Sequence, residues 1–143
     1  MWARASPVGK GRSGGHDDAM VPTVLLVDDQ AAFRTVARRL LESDGFRVIG
    51  EAADARSAVR AAGELAPDVV LLDVRLPDGS GVDAARRIRD VEGPPVVVLI
   101  STADYAHAVH GCGAQGFIPK GQLSGARLRA AMATDQAMGS DLR

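Results

Sequence analysis

A chain of 143 residues, 46% hydrophobic and 24% charged, has the size and composition of one globular domain with a sizeable core and leaves no room for a second. A formal charge of −1 gives no electrostatic reason to expect nucleic acid or an anionic membrane as partner. Cys112 is the single cysteine, so no internal disulfide can form, and no apolar stretch has the length of a membrane span or the layout of a signal peptide; a reducing cytoplasm is the expected setting.

Residues 1–22 are rich in Gly, Ser and charge with no sustained apolar period, which predicts a disordered extension outside the fold. Met20 stands directly before Val21-Pro22-Thr23 and is a second candidate for the natural start besides Met1. From Thr23 onward strand-like and helical runs alternate. Strands are expected near 23–28, 46–52, 69–73, 95–101 and 114–118, helices near 31–43, 55–66, 81–90, 104–112 and 124–137, and a tail over 138–143. The runs Val24-Leu25-Leu26-Val27 and Val69-Val70-Leu71-Leu72 are continuously apolar, as strands buried on both faces of a parallel sheet read. Five βα units with short connections predict an α/β fold, a five-stranded parallel sheet with helices on both faces and right-handed crossovers. Asp54 and Ser124 suit helix N-caps, Gly45 lies where the first helix should stop, and Pro77-Asp78-Gly79-Ser80-Gly81 is dense in turn residues.

The ends of the strands carry the chemistry. Asp28 and Asp29 close the first apolar run and Asp73 closes the second. The carboxyl ends of parallel strands open onto the crevice where such sheets bind ligands, so the three carboxylates are expected to meet there. Like charges that close raise one another's pKa, and a cluster of this kind suits a hard cation held through oxygen, Mg²⁺ first.

Four ordered stretches, Val27-Asp28-Asp29, Leu71 through Gly81, Val97-Val98-Leu99-Ile100-Ser101 and Gly116-Phe117-Ile118-Pro119-Lys120, resemble the receiver domain of bacterial two-component response regulators over nearly all of 23–137. The resemblance implies a (βα)5 flavodoxin-like fold with strand order 2-1-3-4-5. It implies that Asp73 is the phosphoacceptor, attacking a phosphohistidine or small acyl phosphate to give an aspartyl phosphate. Asp29, Asp73 and the backbone carbonyl of Arg75 would hold Mg²⁺, with Asp28 orienting a metal-bound water. Lys120 and Ser101 would bind phosphoryl oxygens, and movement of Ser101 would let Phe117 swing and remodel the face of the last two units. The implied partners are a sensor histidine kinase or phosphotransfer protein and a downstream protein target, with a phosphorylation-dependent homodimer as a further option. The only catalysis implied is of the domain's own phosphorylation and dephosphorylation.

Two positions depart from the family's pattern. Thr102, where a very small residue is common, competes with Ser101 for the sensing role, and Pro119 precedes Lys120 where a proline commonly follows the lysine. Three functional readings follow: a stand-alone phosphoacceptor receiver, a receiver-like interaction module that works without phosphorylation, and an aspartate-nucleophile phosphohydrolase. The last is disfavoured because haloacid-dehalogenase-type phosphatases place an acid where this chain has Arg75. The motif style resembles receivers fused to helix-turn-helix domains, so a fragment of a DNA-binding regulator is a variant of the first reading; with no such domain after 137, direct nucleic-acid binding is not expected. Gly9-Lys10-Gly11-Arg12-Ser13 lacks the spacing and the preceding strand of a phosphate loop. His107 and His110 read as an exposed helix face, Cys112 as a small buried filler, and Arg127 and Arg129 as solvated or partner-facing.

Overall fold

The computed structural model describes residues 21–103 and 109–141. The expected extension at 1–22 falls almost entirely outside them, as do His107 and the first part of the helix expected at 104–112. Strand β1 (Thr23–Val27) leads to helix α1 (Ala31–Ser43), β2 (Arg47–Ala52), α2 (Ala55–Leu65) and β3 (Val69–Asp73). A hairpin of β4 (Arg75–Leu76) and β5 (Gly79–Ser80) precedes α3 (Gly81–Arg89) and β6 (Val96–Ser101). Then come α4 (Val109–Cys112), β7 (Gly116–Pro119), a 3-10 turn (Lys120–Gln122) and α5 (Gly125–Asp141). The main sheet runs β2-β1-β3-β6-β7 with every pair parallel, which is the order 2-1-3-4-5 when its five strands are counted along the chain.

Period-two alternation divides each central strand between two cores. Leu25, Val27, Val70, Leu72, Val97 and Leu99 face α2 and α3, which meet them with Ala58, Ala61, Ala62, Ala84, Ala85 and Ile88. Val24, Leu26, Val69, Leu71, Val98 and Ile100 face α1 and α5 through Ala37, Leu41 and Leu128. Alanine on α2 and α3 lets both helices lie close to the sheet, and Cys112 is buried in the same cluster. Among the described residues no helix is long and apolar enough to cross a membrane.

β7 begins at Gly116, two residues later than expected, because Gln115 binds Val97 ahead of the ladder with its own N–H at 2.7 Å and its side-chain oxygen at 2.6 Å. Lys120 therefore opens the 3-10 turn and does not end the fifth strand. The β4–β5 hairpin was not expected, since two-residue strands carry no periodic signal. Its turn carries Asp78 to the N-terminus of α2. There Asp78 accepts from the N–H of Ala55 at 2.7 Å and of Arg56 at 3.0 Å, while Asp54 accepts from Ser57 N–H at 2.8 Å. Two carboxylates thus satisfy the amide donors that a helix start leaves without partners. The Ala55 and Arg56 amides hold the Asp78 carboxyl below its ordinary pKa. A lowered folded pKa means that this contribution is fully present above the unfolded aspartate value of about 3.9 and is lost as pH falls through the folded one. Asp78→Ala should accordingly lower the urea midpoint at pH 7, with the gap to native protein narrowing as pH falls below the ordinary aspartate range; a gap that stays constant down the acid limb would refute the capping account.

A second long-range tie adds to an expectation, since Arg129 is exposed yet engaged. Arg129 is not simply solvated: its guanidinium donates to the Asp44 carbonyl at 2.8 Å and lies 4.5 Å from the Phe46 ring centroid. The Asp44 side chain in turn accepts from Gly125 N–H at 2.7 Å, and Ser124 caps Arg127 N–H at 3.0 Å. The loop after α1 is thereby fastened to the start of α5.

Candidate functional site

Among the described residues three polar residues are buried, Asp28, Asp73 and Ser101. They stand at the carboxyl ends of β1, β3 and β6, three adjacent strands of the sheet. Burial of unpaired carboxylates is costly, so their company must supply compensation. Lys120 enters from the end of β7: its Nζ lies 2.6 Å from Asp28 Oδ2 and 3.2 Å from Asp73 Oδ2. The close approach to Asp28 makes the lysine ammonium the counterion of this buried oxygen.

The remaining carboxylate oxygens are tied to local turns. Asp28 Oδ1 accepts from Gln30 N–H at 2.8 Å, and Asp73 Oδ1 accepts from Arg75 N–H at 3.0 Å. Asp29 is exposed at the rim, yet one oxygen from each of Asp28, Asp29 and Asp73 lies within 4.8 Å of the others. Burial and the charge of Asp28 push the Asp73 carboxyl up, against the pull of the Arg75 amide and Lys120, and the net direction is upward. Burial alone would lower the Lys120 ammonium, but pairing with Asp28 and Asp73 outweighs it and raises the pKa, so the lysine is charged.

This pattern of acids, hydroxyl and lysine at the sheet edge has a counterpart among known proteins: the response regulator receiver domain family matches residues 24–133. The chain belongs to that family. The receiver is 36% identical over 106 residues to the transcriptional regulatory protein PdtaR of Mycobacterium tuberculosis, covering 72% of this chain and 52% of that protein. It is 39% identical over 107 residues to the DNA-binding response regulator MtrA of the same organism, covering 72% and 46%. The chain spans about half the length of these curated relatives. Among solved structures, a LuxR-family two-component response regulator from Aurantimonas superposes with a TM-score of 0.71 at 33% identity, covering 79% of this chain and 86% of that one. The response regulator domain of Thermotoga maritima CheB gives 0.66 at 31% identity, covering 83% and 97%.

In the receiver, Ser101 is buried and its Oγ accepts from Ala103 N–H at 3.0 Å, whereas Thr102 is exposed. Phe117 is half-buried, opposite Leu99 in the β6–β7 ladder and packed on the core beneath α2 and α3. His110 lies in α4, but its side chain, like the whole of His107, is outside the described residues. The sequence reading missed two residues of α1 that reach the site. Phe33 places its ring 4.8 Å from Lys120 Nζ, and Arg34 donates to the Asp28 carbonyl while pairing with Glu51 at 2.9 Å. The one available signal for Phe33 was scarcity, since the chain has only three phenylalanines.

The donor set suits a hard divalent cation: three clustered carboxylates with one oxygen of each within 4.8 Å of the others.

Proposed function

We propose that this receiver accepts a phosphoryl group on Asp73 from a histidine kinase or phosphotransfer protein and switches protein contacts in response. The observation that carries this reading is that Asp28, Asp73 and Ser101, the buried polar side chains among the described residues, sit on adjacent strand ends, with a charged lysine paired to both carboxylates. A fold has little reason to bury such a group for stability alone.

A carboxylate oxygen of Asp73 would attack phosphorus; the new P–O bond forms as the P–N bond to the donor histidine breaks, and the leaving imidazole nitrogen takes up a proton. Mg²⁺, held by Asp28, Asp29, Asp73 and the Arg75 carbonyl, would supply charge neutralisation between the carboxylate and the incoming anion. Lys120 donates N–H groups to the phosphoryl oxygens as charge develops on them, and Ser101 turns its hydroxyl to another. Burial of Ser101 and exposure of Thr102 support Ser101 as the sensing hydroxyl. Displacement of Ser101 would open space toward Phe117, which lies on the adjacent strand two residues before Pro119, the ladder partner of Ser101, and so alter the face of β6, β7 and α5.

A receiver serving a transcriptional regulator is a second reading, favoured by the names of the relatives PdtaR and MtrA and by the chain's spanning about half of each. Intact-mass spectrometry after incubation with acetyl phosphate or phosphoramidate and Mg²⁺ tests the phosphoacceptor role. One added phosphoryl group is expected, absent in Asp73→Asn and absent with chelator. No addition from these donors or from phosphorylated histidine kinases would favour a phosphorylation-independent interaction module.

A further inference from the structure

Lys120 has a third neighbour besides the two carboxylates. Its ammonium stands over the face of Phe33, 4.8 Å from the ring centroid and inside the roughly 6 Å range in which the ring quadrupole attracts a cation. Phe33 occupies the first turn of α1, where its N–H donates to the Gln30 carbonyl at 3.1 Å, and its ring packs on the core that contains Ile118 and Leu123. The ring is anchored on one element and the lysine on another, so their contact spans the site from α1 to the turn after β7.

We propose that Phe33 is a positioning residue that holds the Lys120 ammonium beside Asp73, ready for the phosphoryl group. The inference rests on Asp73 being the phosphoacceptor. An aromatic face suits the task because its attraction is spread over the ring. The ammonium can pivot from the carboxylates toward new phosphoryl oxygens without leaving it, whereas a third carboxylate in that place would compete with the phosphoryl group for the same N–H donors. The ring also shields one side of the ammonium from water, which strengthens the charge interactions on the other sides.

Simple apolar packing would make the same contacts with the core, so the test must change the ring's electrostatics and keep its shape. In the full chain, Phe33 is replaced site-specifically by mono-, di- and trifluorinated phenylalanine, alongside Phe33→Tyr and Phe33→Leu. Two quantities are read: the ring-current shift of the Lys120 Hε protons by NMR, and the rate constant for phosphorylation from phosphoramidate at saturating Mg²⁺. The Hε protons should be shifted upfield in the native protein and in the fluorinated series. The rate should fall stepwise with fluorination to about fivefold below native, with Phe33→Leu slowed to a similar degree and Phe33→Tyr within about twofold of native. Rates indifferent to fluorination, or unshifted Hε protons in the native protein, overturn the positioning role while leaving phosphorylation intact. A native protein that takes no phosphoryl group at all removes the phosphoacceptor reading, and this proposal with it.

Discussion

Gly81→Ala should destabilise the domain by about 3 kcal/mol and slow phosphorylation of Asp73, although it adds a single methyl group. A Cβ at Gly81 would collide with the carbonyl oxygen of Asp73 and stand 2.9 Å from both the Asp73 carbonyl carbon and Val74 Cα. All of these are backbone atoms, which cannot turn aside as a flexible side-chain end can. The crowding follows from the turn itself: Gly81 N–H donates to the Val74 carbonyl at 2.7 Å, and Val74 N–H donates to Ile100 at 3.0 Å. The first residue of α3 thus leans on the strand end that presents Asp73, and relief of the clash must move that strand end or the helix. Gly63, exposed within α2 with nothing within 4 Å of an added Cβ, is the counterpart. Gly63→Ala should stabilise by roughly 0.5–1 kcal/mol through helix propensity. Urea unfolding of both variants checks the pair; a Gly81→Ala protein as stable as native would show that the turn after β3 is looser than its geometry.

The strands of the sheet were legible because burial on both faces writes itself as unbroken apolar runs, as in Val24–Val27 and Val69–Leu72. The acids were legible for a related reason: a charge that abruptly ends such a run has to emerge at the sheet's edge. Asp54 and Ser124 follow a local rule of capping and were found by it. What escaped depends on contacts remote in sequence. Asp78 caps a helix that begins 23 residues earlier, and Asp44 holds an amide 81 residues away, for which no short-range pattern exists. Phe33 looks like an ordinary core residue of α1 until the fold brings Lys120 over its ring. Arg129 read as solvated or partner-facing since a periodic pattern says where a side chain starts and nothing of where a long one ends; the guanidinium reaches back to Asp44 and Phe46.

Lys120→Ala should expose how far the acid cluster depends on its cation. Without the ammonium, Asp28 and Asp73 remain buried with like charges and no counterion. Breaking a buried pair from one side should then cost about 3 kcal/mol in metal-free buffer at neutral pH. The cost should depend on pH with a definite sign. Burial and Asp28 already raise the Asp73 carboxyl, and loss of Lys120 removes one of the influences that lower it. A group whose folded pKa is raised favours folding below its unfolded value and ceases to do so as pH rises through the folded one, so the variant's deficit should widen over that interval. Added Mg²⁺ should close most of the deficit, because a divalent cation meets the same carboxylates. It should not restore the chemistry, since a cation among the carboxylates does not replace the N–H donors that Lys120 offers to the phosphoryl oxygens; phosphorylation at saturating Mg²⁺ should stay about 100-fold slow. Urea unfolding in chelator and in Mg²⁺, set beside phosphorylation rates in Mg²⁺, separates the two roles. Stability and rate recovering together would mean that the lysine acts only as a counterion, and a deficit untouched by Mg²⁺ would mean that the carboxylates do not form a cation site.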